Sequence, residues 1–134
     1  MYNKRLHPIV IFTAGALILL LAGCSSQGAG NGPAGAIDAY LKALVAKDEN
    51  QVITLSCAAW EEQARQELRS FDANSISLNN LQCQETGSEG EATLVKCTGE
   101  ILATYGAEKM SIDLSKQTYK VLNESGEWRM CGYK

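Results

Sequence analysis

Histidine is almost missing from this 134-residue chain: the only one, His7, stands among the first ten residues and none follows it. From residue 8 onward the chain offers no histidine triad, no histidine general base and no histidine metal ligand. Close cysteine pairs are missing too. The five cysteines, Cys24, Cys57, Cys83, Cys97 and Cys131, are never nearer than 14 residues. Structural zinc sites show pairs such as C-x2-C and redox-active dithiols show C-x-x-C, so neither signature is present. No basic cluster occurs, and 12 Lys and Arg face 15 Asp and Glu. Phosphate contacts need concentrated Lys and Arg, so a nucleic-acid partner is not expected. Internal repeats are absent. Ser56, Ser111 and Ser115 lack both a base partner and a nucleophile-elbow pattern. No metal and no cofactor is expected.

What the chain does have begins at its amino end. Lys4 and Arg5 precede an apolar stretch from Ile9 to Leu20, interrupted only by Thr13 and small residues. A transmembrane helix takes about 20 apolar residues, whereas the apolar region of a secretory signal takes roughly 7–15. Leu21-Ala22-Gly23-Cys24 follows at once. Small residues before a cysteine, directly after such a run, read as a bacterial lipoprotein processing site. The expectation is a signal peptide over residues 1–23, cleavage before Cys24 and a lipid on its thiol. That would place the protein outside the cytoplasm, membrane-anchored in the cell envelope. One acyl chain gives only marginal anchoring; lipoproteins as a class carry a diacylglyceryl group, often with a third chain.

Processing would leave 111 residues, one domain's worth. Removing Lys4 and Arg5 leaves 10 basic side chains against 15 acidic ones, a net charge of about −5. This charge opposes anionic headgroups, so the lipid alone must hold the domain at the membrane. Residues 24–35 read as the lipidated cysteine and a flexible Gly/Ser-rich tether, with a reach of roughly 15–20 Å. A phosphate-binding loop would need a preceding strand and a Lys-Ser/Thr ending, and neither is present. Residues 36–134 are left for the folded domain.

Four cysteines remain in that domain, and an even count in an exported chain reads as two disulfides. Three pairings are possible. Cys83–Cys97 with Cys57–Cys131 is favoured, because Cys83 and Cys97 flank the turn-like Gly87-Ser88-Glu89-Gly90 and could face each other across a hairpin. Cys57–Cys131 would tie the helical half to the final strand. In the chain-entropy picture loops of about 15 and 75 residues are worth roughly 3 and 4.5 kcal/mol, comparable to the net stability of a small domain.

Hydrophobic periodicity divides the domain in two. Ile37, Tyr40, Leu41, Leu44 and Val45 follow a helical face to about Lys47, with Pro33 suited to a first turn. Val52, Ile53 and Leu55 suggest a short second helix. A third fits Ala58 to Phe71, with Trp60, Ala64, Leu68 and Phe71 on one side and Glu61, Glu62, Arg65, Gln66 and Arg69 on the other. After Asp72 the period becomes two. Ile76 and Leu78, then Leu81 and Cys83, alternate in opposite phase, which predicts a bulge near Asn79-Asn80. Val95 to Tyr105 keeps strict alternation. Met110, Ile112 and Leu114 alternate next, Tyr119 and Val121 run out of phase with them, and Glu127 to Tyr133 closes the chain after the turn Glu124-Ser125-Gly126. Helices first and strands second predict an α+β fold, with helices on one face of a curved antiparallel sheet of about four strands.

Two stretches carry a resemblance. Ala36-Ile37-Asp38-Ala39-Tyr40-Leu41-Lys42-Ala43-Leu44 with the following Lys47-Asp48, and Tyr119 to Val121 with Gly126-Glu127-Trp128-Arg129-Met130, resemble the nuclear transport factor 2-like superfamily, and within it small exported bacterial lipoproteins. The likeness covers Ala36 to Tyr133. It implies a cone made by N-terminal helices and a curved sheet. A cystatin-like or ferredoxin-like sheet has a similar element order. Enzymes of the superfamily place an Asp base with a Tyr, an acid or a His inside the cone. The Asp–His type is excluded here, whereas an Asp–Tyr site would need a buried carboxylate beside a phenol.

Candidate pocket residues are therefore Tyr40, Tyr105, Tyr119 and Trp60, with Asp38 or Asp113 as acids. Asp38 lies off the apolar stripe and is expected in solvent, and Asp113 on the outer sheet face. Trp60, Trp128 and Phe71 are expected to seal the core. The reading is a non-catalytic cell-envelope module that binds an unknown protein or small ligand. The alternative is a small enzyme or ligand carrier using the cone. A carboxylate at the cone bottom would favour the enzyme, a large dry cavity the carrier and a filled cone the surface binder.

Overall fold

A computed structural model describes residues 30–73 and 75–134. The signal segment, Cys24 and the start of the tether lie outside the described residues. Helix α1 spans Pro33–Val45, α2 Glu49–Thr54 and α3 Glu61–Ser70. Strands β1 Ser75–Glu89, β2 Ala92–Tyr105 and β3 Glu108–Asp113 follow, then a 3-10 turn at Leu114–Lys116, β4 Thr118–Glu124 and β5 Glu127–Tyr133. Among the described residues no helix is long and apolar enough to cross a membrane.

The α1 stripe behaves as its spacing predicts: Ile37, Tyr40, Leu41 and Leu44 are buried. Pro33 to Gly35, read as tether, form its first turn. Past α1, Lys47 takes a left-handed φ of 54° and its ammonium donates to the Ala73 carbonyl at 3.0 Å. Asp48 then caps α2, its carboxylate accepting from the Gln51 amide at 3.1 Å; this satisfies one of the orphan donors of the first turn.

Three helices pack on one face of a curved antiparallel sheet. The sheet has five strands, not about four. Its path runs β1-β2-β4-β5, and β3 adds to β2 beyond that path. The reason is the length of β2: residues 93–96 pair with β4 and residues 100–105 pair with β3, so one strand serves two short neighbours on the same edge. The 3-10 turn fills the corner between them and buries Leu114, which is therefore not a strand residue.

The bulge predicted near Asn79-Asn80 is present as a register shift between Asn79 and Gln82. Asn80 has φ 52° and, across from it, Gly99 has φ 104°. A Cβ on Gly99 would stand 2.5 Å from the Asn79 carbonyl oxygen, so only glycine lets the strands approach there. The β1–β2 turn is tighter than Gly87 to Gly90. β1 continues through Gly87 to Glu89, and Gly90-Glu91 make the two-residue connection with Gly90 at φ 61°, as a glycine-first hairpin requires.

Cys83 and Cys97 sit directly opposite in that hairpin and form a disulfide, with Cα atoms 4.0 Å apart. Cys57 and Cys131 form the second, Cα atoms 5.2 Å apart and 74 residues apart in sequence. These are the favoured pairs. The second is reinforced by backbone bonds from Cys57 N to Met130 O at 2.8 Å and from Met130 N to Leu55 O at 2.7 Å, so the α2–α3 link is stitched to β5. Two disulfides imply an oxidising setting outside the cytoplasm.

The core lies between α1 and the sheet, around Ile37, Leu41, Leu44, Val52, Val95, Ile101, Tyr119, Val121 and Met130. Phe71 closes it as expected, but Trp60 and Trp128 stay half-exposed at its rim. Met110, expected to alternate inward with Ile112, is 52% exposed. It lies where β3 runs past the helical cover.

Candidate functional site

The residue that organises the interior is Glu67. Ala64 on α3 and Phe71 at its C-cap are buried, and Glu67 stands three residues from one and four from the other, on the same helical face. One carboxylate oxygen accepts from the Tyr40 hydroxyl on α1 at 2.6 Å. The other accepts from the Tyr133 hydroxyl on β5. Three elements thus converge on one carboxylate.

Tyr133 reaches it because β5 slips. Val121 pairs with Met130 but Tyr119 pairs with Tyr133, so Lys120 alone on β4 faces Cys131 and Gly132 on β5. Gly132, at φ 121°, sits in the slip with the Trp60 ring 3.5 Å from where its Cβ would be. This bulge reverses the phase and turns Tyr133 inward. Its ring packs against Tyr119, centroids 5.3 Å apart, and edge-on against Trp60 at 5.6 Å, within the range of favourable aromatic pairs.

All three interior phenols resist ionisation. Burial pushes the Tyr133, Tyr40 and Tyr119 hydroxyls far above the ordinary phenol range, and the adjacent Glu67 charge pushes them further. They are therefore neutral donors at any physiological pH. Trp60 Nε1 is buried with no hydrogen-bond partner among the described residues, and it lies close enough to the Tyr40 oxygen to temper that shift slightly.

Beside this cluster a cavity of about 180 Å³ remains, lined by Glu67, Tyr119, Tyr133 and Gln117 on its polar side and by Leu44 and Ile101 among the apolar residues. Ligand pockets usually run to roughly 300–1,000 Å³. A space of this size takes about one benzene-sized molecule. The tyrosines have largely filled the cone.

The expected pocket residues divide. Tyr40, Tyr119 and Trp60 gather around Glu67, Trp60 from behind the Tyr133 ring. Tyr105 does not join them. It ends β2 beyond the helical layer, and its hydroxyl donates to the Ser70 carbonyl at 3.4 Å on the outside. Neither expected acid is in the cone. Asp38 is on α1, 2.6 Å from the Lys42 ammonium. Asp113 is exposed and caps the 3-10 turn, accepting from the Ser115 amide at 2.9 Å, and these bonds hold its carboxyl below the usual range. Glu67 and Tyr133 were not among the expected residues. The signal for Glu67 was its place between Ala64 and Phe71 on the apolar stripe. Among the described residues no group of three or more His, Cys, Asp or Glu could hold a metal.

No known protein family matches this chain, and no curated protein does. Solved structures do resemble it. One is a SEC-C motif containing protein from Rhodopseudomonas palustris, at 11% identity and TM-score 0.51, covering 76% of this chain and 77% of that one. A second is the helical cell shape determining protein Pgp2 from Campylobacter jejuni, at 10% identity and TM-score 0.48, covering 75% of this chain and 38% of that one. A third is an NTF2-like designed protein, at 14% identity and TM-score 0.48, covering 73% of this chain and 92% of that one. At such identities a likeness speaks for fold alone, and the first gives this chain the fold of its solved relative.

Proposed function

We propose that this protein is a lipid-anchored, non-catalytic binding module of the bacterial cell envelope, built on a nuclear transport factor 2-like domain. The observation that carries the non-catalytic part is the largely filled cone. The one carboxylate in it, Glu67, already accepts from two phenols, and those phenols are held neutral. An Asp–Tyr type of acid–base pair needs a carboxylate free to take a substrate proton and a phenol able to release one. This cluster supplies neither, and it works as an internal clasp joining α1, α3 and β5. Binding then falls to the outer surface.

Anchoring rests on Lys4-Arg5, the apolar run and Leu21-Ala22-Gly23-Cys24, and it agrees with two disulfides in the domain. The test is Cys24→Ala followed by fractionation of cells. The variant should move from membranes to the soluble envelope fraction and lose the mass of its lipid. Continued membrane association would refute the anchor.

A second reading has one observation in its favour: the remaining cavity is lined by Glu67 and Gln117 as well as by apolar side chains. It would suit a very small ligand with an apolar body and one donor. Soaking with benzene-sized alcohols and amines should leave the melting temperature unchanged if the cone is only packed. A saturable rise would favour the carrier.

A further inference from the structure

We propose that the face around the start of α1 lies on the bilayer interface, with Trp128 as its interfacial contact. This rests on the lipid-anchor reading of Cys24. The chain meets the described domain at Gly30, only six residues beyond Cys24. Fully extended, six residues span at most about 20 Å. The exit point lies against the domain. Gly30 packs so closely on the first turn of α1 that a Cβ on Gly35 would meet its carbonyl oxygen at 1.7 Å.

Beside that exit, between the start of α1 and the β4–β5 turn, an open groove of about 460 Å³ includes Ala36, Ala39, Leu55, Glu127 and Trp128. It is shallow and wide, suited to a surface rather than an enclosed small molecule. The chain has two tryptophans. Both are half-exposed, but Trp60 packs edge-on against Tyr133 at the interior cluster, while Trp128 lines this groove. An indole, apolar with one donor, favours the headgroup boundary. Arg129 is paired with Glu127 and Lys42 with Asp38, so the local cations are neutralised and Glu124 adds one negative charge. The surface it fits is zwitterionic lipid, not anionic lipid.

Tether length decides the orientation. The 13 residues of α1 run about 20 Å at 1.5 Å per residue. At its far end Lys47 bonds to Ala73, and Tyr105 at the β2–β3 tip bonds to Ser70 nearby. Turning that end to the membrane would consume the whole extended tether, whereas resting on the groove face needs almost none of it. Leu102 and Met110, the two exposed large hydrophobics among the described residues, lie on β2 and β3 and do not line this groove.

The test uses the full lipidated chain in phosphatidylcholine vesicles with a nitroxide quencher on the headgroup, and mass spectrometry of Cys24 beforehand. Trp60→Phe leaves Trp128 as sole emitter and Trp128→Phe leaves Trp60; should the first fold poorly, the difference between wild type and Trp128→Phe isolates the same signal. Trp128 emission should be mostly lost to the quencher and Trp60 emission mostly kept, and added phosphatidylglycerol should not increase the effect. Equal quenching of both, or none at Trp128 in protein whose Cys24 lipid is confirmed, overturns the orientation. A Cys24 without lipid overturns the anchor and the orientation with it.

Discussion

Raising the pH above 10 should destabilise this domain through its three interior tyrosines. Tyr40, Tyr119 and Tyr133 have their hydroxyls raised by burial and by Glu67, whereas in the unfolded chain each returns to about 10. The folded state therefore holds more protons, and stability falls with rising pH wherever that is so. The contribution is complete below pH 10 and drains away as the pH climbs from 10 towards the folded values. At pH 11 each tyrosine ionises almost fully in the unfolded chain alone, which favours unfolding by about 1.4 kcal/mol. Three together remove about 4 kcal/mol, a large part of the 5–15 kcal/mol typical of a domain. Urea midpoints between pH 8 and 11 measure the loss, and phenolate absorbance followed beside circular dichroism shows whether ionisation waits for unfolding. Tyr119→Phe is the sharpest control, because Tyr119 makes no hydrogen bond to Glu67 in the structure, and it should lower the pH slope by about one third. Effects of alkali on lysines are common to both proteins and cancel in the comparison. A phenolate step near pH 10 that shrinks in Tyr119→Phe while the fold stays intact, or an unchanged slope in Tyr119→Phe, would refute the reasoning.

Gly99→Ala places a Cβ 2.5 Å from the Asn79 carbonyl oxygen at φ 104°, so a loss of about 2–3 kcal/mol or more in urea unfolding is expected. Replacing Cys57 and Cys131 together by alanine opens a closure of 74 residues and should lower stability by about 4.5 kcal/mol, against about 3 kcal/mol for Cys83 with Cys97. Thiol titration of the unreduced protein should find none of these four free. Asp48→Ala removes the α2 cap and should cost about 1 kcal/mol, with Asp48→Asn nearer to wild type; melting temperatures check both.

Much of the fold could be read in advance because its signals are local. The α1 stripe, the Asn79-Asn80 slip and the hairpin cysteines each follow from periods of 3.6 or two over a few residues. What failed depended on how far one element extends relative to another. Met110 alternates correctly yet stays exposed, because no helix reaches over that end of β3. Tyr105 shares the inward phase of Val95, Cys97, Ile101 and Ala103, yet it falls beyond the cover and bonds to Ser70 outside. The pairing of both β3 and β4 with one edge of β2 also leaves no trace in periodicity.

The interior carboxylate was hidden for a different reason. A charged residue on an apolar stripe reads locally as an interruption, and Glu67 becomes intelligible only when its donors are known. One of those, Tyr133, should point outward by strict alternation from Met130. The extra residue at Cys131-Gly132 reverses it, and Cys131 is also where the helical half is tied on through Cys57. The disulfide and the bulge therefore meet at Cys131, one fixing where β5 meets the α2–α3 link and the other aiming Tyr133 at α3. A sequence that keeps Glu67 on α3 but loses Gly132 would strand a carboxylate beside a single phenol. A hydrogen bond to a charged group is worth about 1.5–3 kcal/mol, and the part-buried position of Glu67 puts this loss at the lower end. The clasp, the slip and the disulfide form one construction, which joins α1, α3 and β5 around Glu67.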